Sequence, residues 1–457
     1  MVAPTPPRSK GTNVLVVLAI GLAAVLGVFV VLVAAVTMLG RSAATWDPAV
    51  APYVEFVEDA RGLEFEQPVD IRWMTVEEAV ASGEFAAEDL SWAEPFQIIG
   101  LLPDELDADA QGEMLAEHAA AYYDPIEQEI VLPPGDVSLL GASTIVHELT
   151  HALQDQHGLL GPDWIDTDNE FAGGIALVEG DADRIEAAWY ESLSVADRRR
   201  FDRELEAQFA EFGDLDEIES DAPWLEASFY ERYALGSPAV QAILWQWGEA
   251  ELDDQLRRGV PSTELLLDPL APLDTSRFDA DGLPERDLDV DYWGSLGPVT
   301  WYQVLAPTIG PDAALDAVLG YGWDEYQRFE QDGEACLDVA FWADSAADRS
   351  ELIAAFDGVR DTYPGIGPIV EGADELSFQF DVCGPITDPA AQGPHLLEPL
   401  VTLAWVNVEL IASGRSVDEV RCIAPGVATE FEPSDDPTVD PWIELGALIQ
   451  RFSARCR

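Results

Sequence analysis

Residues 143–157 read S-T-I-V-H-E-L-T-H-A-L-Q-D-Q-H and contain three of the chain's five histidines. The stretch predicts a helix, in which His147 and His151 lie one turn apart on the same face. Two neutral imidazoles placed in this way can bind one Zn²⁺, and a catalytic zinc takes three protein ligands and keeps one position for water. Glu148 follows the first histidine, where its carboxylate could accept a proton from that water. The stretch therefore predicts a metal centre that needs a third ligand.

One candidate for the third ligand is His157, which stands where the pattern H-E-x-x-H-x-x-G-x-x-H has its last histidine. Gln154 occupies the glycine position of that pattern, where the backbone has to turn sharply. The methionine turn that accompanies the pattern is also missing, because Met114 is the last methionine of the chain. These departures favour a structural or pocket-rim position for His157 and leave its contribution to the site open.

The other candidate is Glu179, which lies 28 positions after His151 in the segment A-L-V-E-G-D-A-D. Apolar spacing predicts a second helix over residues 171–193. Asp183 follows Glu179 by one turn, and an imidazole bound to zinc usually donates its other N–H to a carboxylate. We therefore expect Asp183 to orient one of the two histidines. The alternative is that both acids are exposed side chains of a very acidic protein.

The motifs H-E-L-T-H at residues 147–151 and E-G-D-A-D at residues 179–183 together resemble the gluzincin branch of zinc metallopeptidases. The resemblance implies an α+β, zincin-like domain in which His147, His151 and Glu179 bind Zn²⁺ and Glu148 acts as the general base. The spacing between the two motifs is longer than in the best-known gluzincins.

Shorter motifs extend the resemblance to a group of exported bacterial proteins regarded as zinc peptidases. They are R-G-L at Arg61, Y-D-P at Tyr123 and P-S-T-E at residues 261–264, and with the zinc motifs they span residues 61–269. The group often has a histidine where this chain has Asp268, so the resemblance assigns no role to that loop.

The segment Y-x-x-G from Tyr233 to Gly236 resembles the part of aminopeptidase-type gluzincins that carries a tyrosine near the reacting carbonyl. A phenol in that position can stabilise the oxyanion that develops during peptide hydrolysis. The resemblance therefore implies this role for Tyr233, with Tyr230 as the second candidate. The alternative is that Tyr233 is a core residue.

Residues 119–133 predict a β-hairpin that turns at Asp124 and Pro125, directly before the metal-binding helix. In zincins a strand at this place forms the edge of the sheet above the active-site cleft. An extended peptide can pair with such an edge through main-chain hydrogen bonds. An ordinary structural hairpin would have the same sequence pattern.

The chain has 457 residues, with 87 acidic against 23 basic side chains and a net charge of −64. A surface of this charge repels phosphates, which argues against a nucleic-acid partner. The hydrophobic content of 48% and the 14 tryptophans predict folded cores and not a disordered chain. The length leaves room for about two or three domains.

The N-terminal region predicts a membrane anchor. Residues 1–12 form a short tail that carries Arg8 and Lys10, and residues 14–39 contain no charge and exceed the roughly 20 residues that span a bilayer. We therefore predict an uncleaved, single-pass signal anchor over residues 13–39, with the N-terminus in the cytoplasm and the main body outside. The alternative is that the segment is cleaved near Ala43. The main body of the chain would be exported in that case too.

Four cysteines lie in the last third of the chain, and in an oxidising compartment they are expected to pair. Cys336 precedes one predicted strand and Cys383 ends another, so these two could pair and leave Cys422 with Cys456. The other two connectivities remain open. A zinc site made of cysteines is not expected, because the chain has no C-x-x-C spacing.

These observations divide the chain into four parts. They are a cytoplasmic tail at residues 1–12, the anchor at 13–39, a zincin-like metallopeptidase domain at 46–270 and a C-terminal α+β region with two disulfides at 292–457. The segment between the last two is rich in Asp and Pro, which is typical of a linker.

The sequence thus predicts a membrane-anchored, extracytoplasmic zinc peptidase that hydrolyses peptide bonds of a peptide or protein substrate. A non-catalytic zinc protein that uses the same fold for recognition or assembly is the first alternative. The retention of Glu148 argues against it, since a chain without catalysis has no need of the base. The second alternative is an anchored structural or adhesion module without a metal. The acidic cluster at residues 214–219 does not follow a calcium-loop pattern, which ranks this alternative last.

Overall fold

A computed structural model describes residues 45–75, 78–79, 81, 91–104, 106, 121–135, 137–161, 167–212, 223–270, 292–372, 374–431 and 441–456. The α-helices in these residues are α1 (Ala51–Arg61), α2 (Glu94–Ile99), α3 (Leu139–Gln156), α4 (Asp168–Ser192), α5 (Val195–Phe212), α6 (Pro223–Gln246), α7 (Glu249–Arg258), α8 (Glu264–Leu267), α9 (Gly297–Ile309), α10 (Pro311–Val318), α11 (Ala346–Arg360), α12 (Glu398–Ala412), α13 (Val417–Glu430) and α14 (Pro441–Arg455). The strands are β1 (Asp70–Trp73), β2 (Tyr122–Asp124), β3 (Glu129–Leu132), β4 (Trp293–Gly294), β5 (Tyr321–Gln331), β6 (Glu334–Ala343), β7 (Val370–Glu371) and β8 (Ser377–Val382). This mixture of helices and two separate sheets confirms the α+β class.

The first sheet has three strands in the order β1-β3-β2. The predicted hairpin is present, because β2 and β3 are antiparallel neighbours with Tyr123 opposite Ile130. Strand β1 runs parallel to β3 on its other side. Among the strands that the structure describes, β2 therefore forms an edge of this sheet.

Helix α3 carries the histidine motif and begins four residues before the stretch that predicted it. The hydroxyl of Ser138 accepts a hydrogen bond from the N–H of Gly141, and Glu204 of α5 accepts from Leu139 and Leu140. These oxygens satisfy N–H groups of the first turn, which has no partners inside the helix. The apolar face of α3 packs under β1 and β3 and against α1 in the smaller of two hydrophobic clusters.

Helix α4 carries Glu179 and starts at Asp168, three residues before the predicted start. Thr167 and Glu170 form a reciprocal capping box at this end, which explains the earlier start. The helix is also fastened at its second residue, because Asn169 is buried and accepts hydrogen bonds from the backbone N–H and the hydroxyl of Thr263. Thr263 belongs to the P-S-T-E motif, so this motif holds the helix that carries Glu179.

Helices α4 and α6 cross in backbone contact at two glycines, Gly180 and Gly236. A Cβ atom built on Gly236 would lie 2.0 Å from the carbonyl oxygen of Ala176, and one built on Gly180 would lie 2.4 Å from the carbonyl carbon of Gly236. Only residues without a Cβ permit this approach. Gly180 is the glycine of E-G-D and Gly236 that of Y-x-x-G, so the two motifs meet in space.

The second sheet has five antiparallel strands in the order β4-β5-β6-β8-β7. Helix α11 lies between β6 and β8 in the chain, and these two strands are antiparallel neighbours. The disulfides are Cys336–Cys383 and Cys422–Cys456. This is the pairing that the positions of the cysteines favoured.

The larger hydrophobic cluster draws on helices and strands from both halves of the chain. It contains Leu177 and Trp224 as well as Trp301 and Phe341, which lie on opposite sides of the predicted linker in sequence. The linker itself, residues 271–291, lies outside the described residues. The division into a domain at 46–270 and a region at 292–457 stays a prediction.

The predicted membrane anchor at residues 13–39 and the alternative cleavage position also lie outside the described residues. Within the described part of the chain, the segment Pro394–Ala412 is long and apolar enough to cross a membrane, and half of its most apolar window is buried against the rest of the protein. Leu400, Leu403 and Val406 of this segment lie in the larger hydrophobic cluster. Packing inside the protein therefore accounts for its composition.

Candidate metal centre

The three predicted ligands meet between α3 and α4. The Nε2 atom of His147 lies 3.1 Å from Oε2 of Glu179, and the Nε2 atom of His151 lies 3.3 Å from the same oxygen. The two imidazole rings stand nearly perpendicular, with centroids 4.6 Å apart. One ligand atom from each residue lies within 4.8 Å of the others. His147, His151 and Glu179 thus form a buried group that could hold a metal ion.

The electrostatics of this group suit a cation. Burial lowers the pKa of His147, but hydrogen bonds to Glu179 and Glu186 outweigh that effect and hold the pKa well above its ordinary value. Burial raises the pKa of Glu179, and the two histidines lower it further than burial raises it. A positive charge is therefore favoured where the three side chains meet, and a bound metal ion would supply it.

The other side of His147 faces two acids, and the nearer one was not predicted. Nδ1 of His147 lies 3.2 Å from Oε2 of Glu186 and 3.5 Å from Oδ1 of Asp183. Asp183, which we expected to orient a histidine, also accepts a hydrogen bond of 2.6 Å from the hydroxyl of Ser237 on α6. Glu186 accepts one from Ser143 on α3. Glu186 therefore shares, and at a shorter distance, the orienting role expected of Asp183.

His147, Asp183 and Glu186 also lie close enough together to form a second metal-binding group. An imidazole that donates its Nδ1–H to Glu186 has no lone pair left on that nitrogen. These acids are thus better suited to set the tautomer of His147, which leaves Nε2 free to bind a metal.

Gln154 orients the second histidine. Its Oε1 atom lies 2.8 Å from Nδ1 of His151, and an amide oxygen can only accept, so Nδ1 carries the proton. The Nε2 atom of Gln154 donates to Asp181 at 2.8 Å and to the carbonyl oxygen of Val178 at 3.1 Å. Gln154, which stands where the pattern H-E-x-x-H-x-x-G-x-x-H has its glycine, therefore connects His151 to the helix of Glu179.

Arg61 stabilises Asp181, the residue at which the connection from Gln154 ends. Its side chain is buried and lies 2.9 Å from Asp181, and it also pairs with Glu249 at 3.1 Å and with Asp253. Arg184 binds the other oxygen of Asp181 at 2.7 Å. A buried carboxylate is costly unless it is paired, and these two guanidinium groups supply the pairing. Arg61, the first residue of the R-G-L motif, thereby fastens α1 to α4 and α7.

We expect Gln154→Leu to weaken metal binding by about 10–100-fold, which is the usual effect of removing a hydrogen-bond partner of a metal-binding histidine. Competition with a chromophoric chelator measures the affinity. The matched control is Gln156→Leu on the same helix, because the Gln156 side chain binds the backbone of Glu66 and Gln67 and has no contact with the histidines. Equal metal affinities for the two variants would contradict the role assigned to Gln154.

Glu148 lies beside the three ligands and belongs to none of the metal-binding groups. Its side chain is 6% exposed, and its carboxylate accepts a hydrogen bond from the backbone N–H of Tyr123 on β2. Burial raises the pKa of Glu148, while the positive charges of His147 and His151 oppose the rise. The edge strand of the first sheet thus lies directly against the predicted general base.

Tyr233 lies on the α6 side of the site. Its ring centroid is 6.3 Å from that of His147, and burial raises the pKa of its phenol. Tyr230, the second candidate, is 44% exposed and has no ring contact with the histidines. Of the two tyrosines, Tyr233 is therefore the one that lies next to the metal-binding group.

His157 is placed outside the metal-binding group. It follows the last residue of α3, and its Nε2 atom lies 2.9 Å from the backbone carbonyl oxygen of Glu64. Asp268 does not belong to the metal-binding group either, and its side chain pairs with Arg421 at 2.7 Å. Both residues therefore act in tertiary packing.

No protein-family model, curated protein or solved structure matches this chain.

Proposed function

We propose that this chain is a zinc-dependent peptidase of gluzincin type, anchored in the membrane with its catalytic part outside the cytoplasm. The observation that carries the proposal is the convergence of both Nε2 atoms on Oε2 of Glu179, with the Glu148 carboxyl beside them. Two imidazoles and one carboxylate are a ligand set of catalytic zinc, which keeps a further position open.

Zinc, when bound, lowers the pKa of water to about 7 and polarises a carbonyl oxygen. The protein's own groups supply the proton transfers. Glu148 accepts a proton from the attacking water and returns one to the leaving amine. The phenol of Tyr233, whose ring centroid lies 6.3 Å from that of His147, would donate a hydrogen bond to the developing oxyanion.

The orientation of the ligands supports this mechanism. Nδ1 of each imidazole faces an oxygen, that of Glu186 for His147 and that of Gln154 for His151, so Nε2, which faces Glu179, is in each case the nitrogen left for a metal. Ligands that are held in this way require little rearrangement when the metal binds. The resemblance of the two sequence motifs to gluzincins is consistent with the same ligand set.

We infer that the substrate is an extended peptide or protein segment. Among the strands that the structure describes, β2 lies at an edge of its sheet, and Glu148 touches the backbone of Tyr123 in that strand. A peptide that pairs with β2 would pass next to the general base. The net charge of −64 argues against a nucleic acid as the substrate or partner.

Export is supported by the cysteines. All four are paired in two disulfides, and disulfides persist in oxidising compartments. The uncharged run at residues 14–39 is the proposed anchor, with the N-terminus in the cytoplasm.

Elemental analysis of the purified full-length chain tests the metal site. We expect about one zinc per chain, because one catalytic set of three ligands is present, and a sharp loss of zinc in Glu179→Ala. The matched control is Glu191→Ala, which removes an exposed acid from the same helix. A Glu179→Ala variant that keeps its zinc would refute the third ligand, and a wild-type chain that takes up no zinc would refute the proposal.

A further inference from the structure

A cavity of about 380 Å³ opens where α4 and α6 diverge from their glycine crossing. Residues from the N-terminal halves of both helices line it, together with aromatic residues from the segment around α2. The aromatic rings of its wall belong to Trp92, Phe96, Phe171, Trp224 and Phe229. The crossing therefore produces both the contact that positions Glu179 and a wedge-shaped space next to it.

The cavity adjoins the metal site. Ile175 lines it and precedes Glu179 by one helical turn on the same face of α4. On α6, the ring of Phe229 lies 5.5 Å from that of Tyr233, which in turn lies 6.3 Å from that of His147. A group bound in the cavity would be separated from the metal ligands by only one or two side chains.

One acid in the cavity wall has no counter-charge in contact with it. Glu231 is 7% exposed and lines the cavity, and within the described part of the chain it makes no hydrogen bond and no ion pair. Burial raises its pKa to about 8. A buried carboxyl without a partner is costly, so its presence in a cavity wall indicates that a ligand supplies the partner.

The other polar groups of the cavity indicate the charge of that ligand. Asp168 is a second acid in the wall, and burial raises its pKa to about 6. Arg232 also lines the cavity, but its guanidinium stacks on Phe229 at 5.0 Å and forms no ion pair with Glu231. A cation bound here would lower the pKa of Glu231 and pair with its carboxylate, and the aromatic faces would add cation–π contact.

We propose that this cavity binds the guanidinium or ammonium group of a basic side chain, with Glu231 as its ion-pair partner and the aromatic rings as its walls. The net charge of −64 would draw basic peptides toward the protein from a distance. The further step, that the side chain belongs to the peptide being cut, rests on the proposed peptidase function. The binding of the cation does not depend on that function.

Isothermal titration of the full-length chain tests the proposal with N-acetyl-arginine amide as the probe. The matched probe is N-acetyl-citrulline amide, which has nearly the same shape and no charge. We expect the arginine probe to bind at least about tenfold more tightly, and Glu231→Gln to lower its affinity by at least about tenfold, because both changes remove one side of a buried ion pair. Zinc content should stay the same.

The variant is expected to fold, since glutamine has the size of glutamate and is neutral, like the protonated carboxyl that burial favours at this position. Glu226→Gln on the same helix is the control, because Glu226 does not line the cavity. Equal binding of the two probes, or full affinity in Glu231→Gln, would overturn the inference. So would tighter binding of N-acetyl-glutamate amide, which would assign the cavity to an anion held by Arg232.

Titration with the probe, run beside a peptide-hydrolysis assay of the same chain, separates this inference from the proposed function. A chain that hydrolyses peptides without binding the arginine probe overturns the cavity assignment alone. A chain that binds the probe and hydrolyses no peptide overturns the peptidase assignment and leaves the cation site in place.

Discussion

Glu148→Gln is expected to lower kcat/KM for peptide hydrolysis by about 10²–10⁴-fold, which is the usual contribution of a positioned general base. Glutamine has the same shape, but its amide cannot accept a proton from water. Its oxygen can still accept the hydrogen bond that the N–H of Tyr123 gives to Glu148. Zinc content should not change, because the three ligands are other residues.

The measurement is hydrolysis of unstructured polypeptides that contain basic residues, run beside elemental analysis of the same preparations. Glu191→Gln removes an exposed acid from α4 and should leave both quantities at wild-type values. Unchanged hydrolysis in Glu148→Gln would rule out this residue as the base. A wild-type chain that binds zinc and hydrolyses none of the polypeptides would favour the non-catalytic zinc-binding protein.

Gly180→Ala is expected to destabilise the protein by about 1–3 kcal/mol and to weaken metal binding. A Cβ atom on Gly180 would lie 2.4 Å from the carbonyl carbon of Gly236 and 2.8 Å from the backbone nitrogen of Ser237. Backbone atoms cannot move aside as side chains do, so α6 has to shift away from α4. The hydrogen bond between Ser237 and Asp183 would be lost, and Glu179, the adjacent residue, would move relative to the histidines.

Gly174→Ala is the matched control for this substitution. Gly174 lies on the same helix, and a Cβ atom built on it meets nothing within 4 Å. Alanine there should stabilise the protein by up to about 1 kcal/mol, because it favours the helix more than glycine does. Urea unfolding of both variants measures the difference. A Gly180→Ala protein that is as stable as Gly174→Ala, with wild-type metal affinity, would show that the close crossing does not position the site.

Much of the ligand set could be predicted because it depends on local geometry. His147 and His151 are four residues apart, and every helix brings such residues together on one face. Glu179 required the resemblance of its motif as well, since spacing alone does not show that α4 packs on α3. The structure brings all three together.

The orienting residues could be predicted only in part. Asp183 was expected from its place one turn after Glu179, whereas Glu186 lies one turn further and is nearer to His147. Both acids share one stripe of α4, and the rotation of α4 against α3 decides which of them is closer. Gln154 lies about one turn after His151, so spacing alone allows their contact. Its connection through Asp181 to Arg61 could not be inferred in this way, because Arg61 and Asp181 are 120 positions apart in the chain.

The cysteines and the strands beside them could likewise be predicted only in part. Their positions next to two predicted strands favoured Cys336 with Cys383, and the structure has this pairing. The antiparallel arrangement of β6 and β8, and the place of β4 at one end of the sheet, could not be inferred from the strand patterns. Strand order depends on contacts between segments distant in sequence, about which a local pattern carries no information.

By itself, the sequence determined the side chains that share a helical face, the hairpin before α3, the cysteine pairing it favoured and the acidic character of the surface. Each of these follows from residue spacing or composition. Only the tertiary structure decided that Gly180 meets Gly236, that Glu186 and Gln154 orient the histidines, and that Glu231 faces a cavity beside them. The reason is that a helical pattern defines a face, whereas the angle and closeness at which two helices cross depend on the packing of both surfaces.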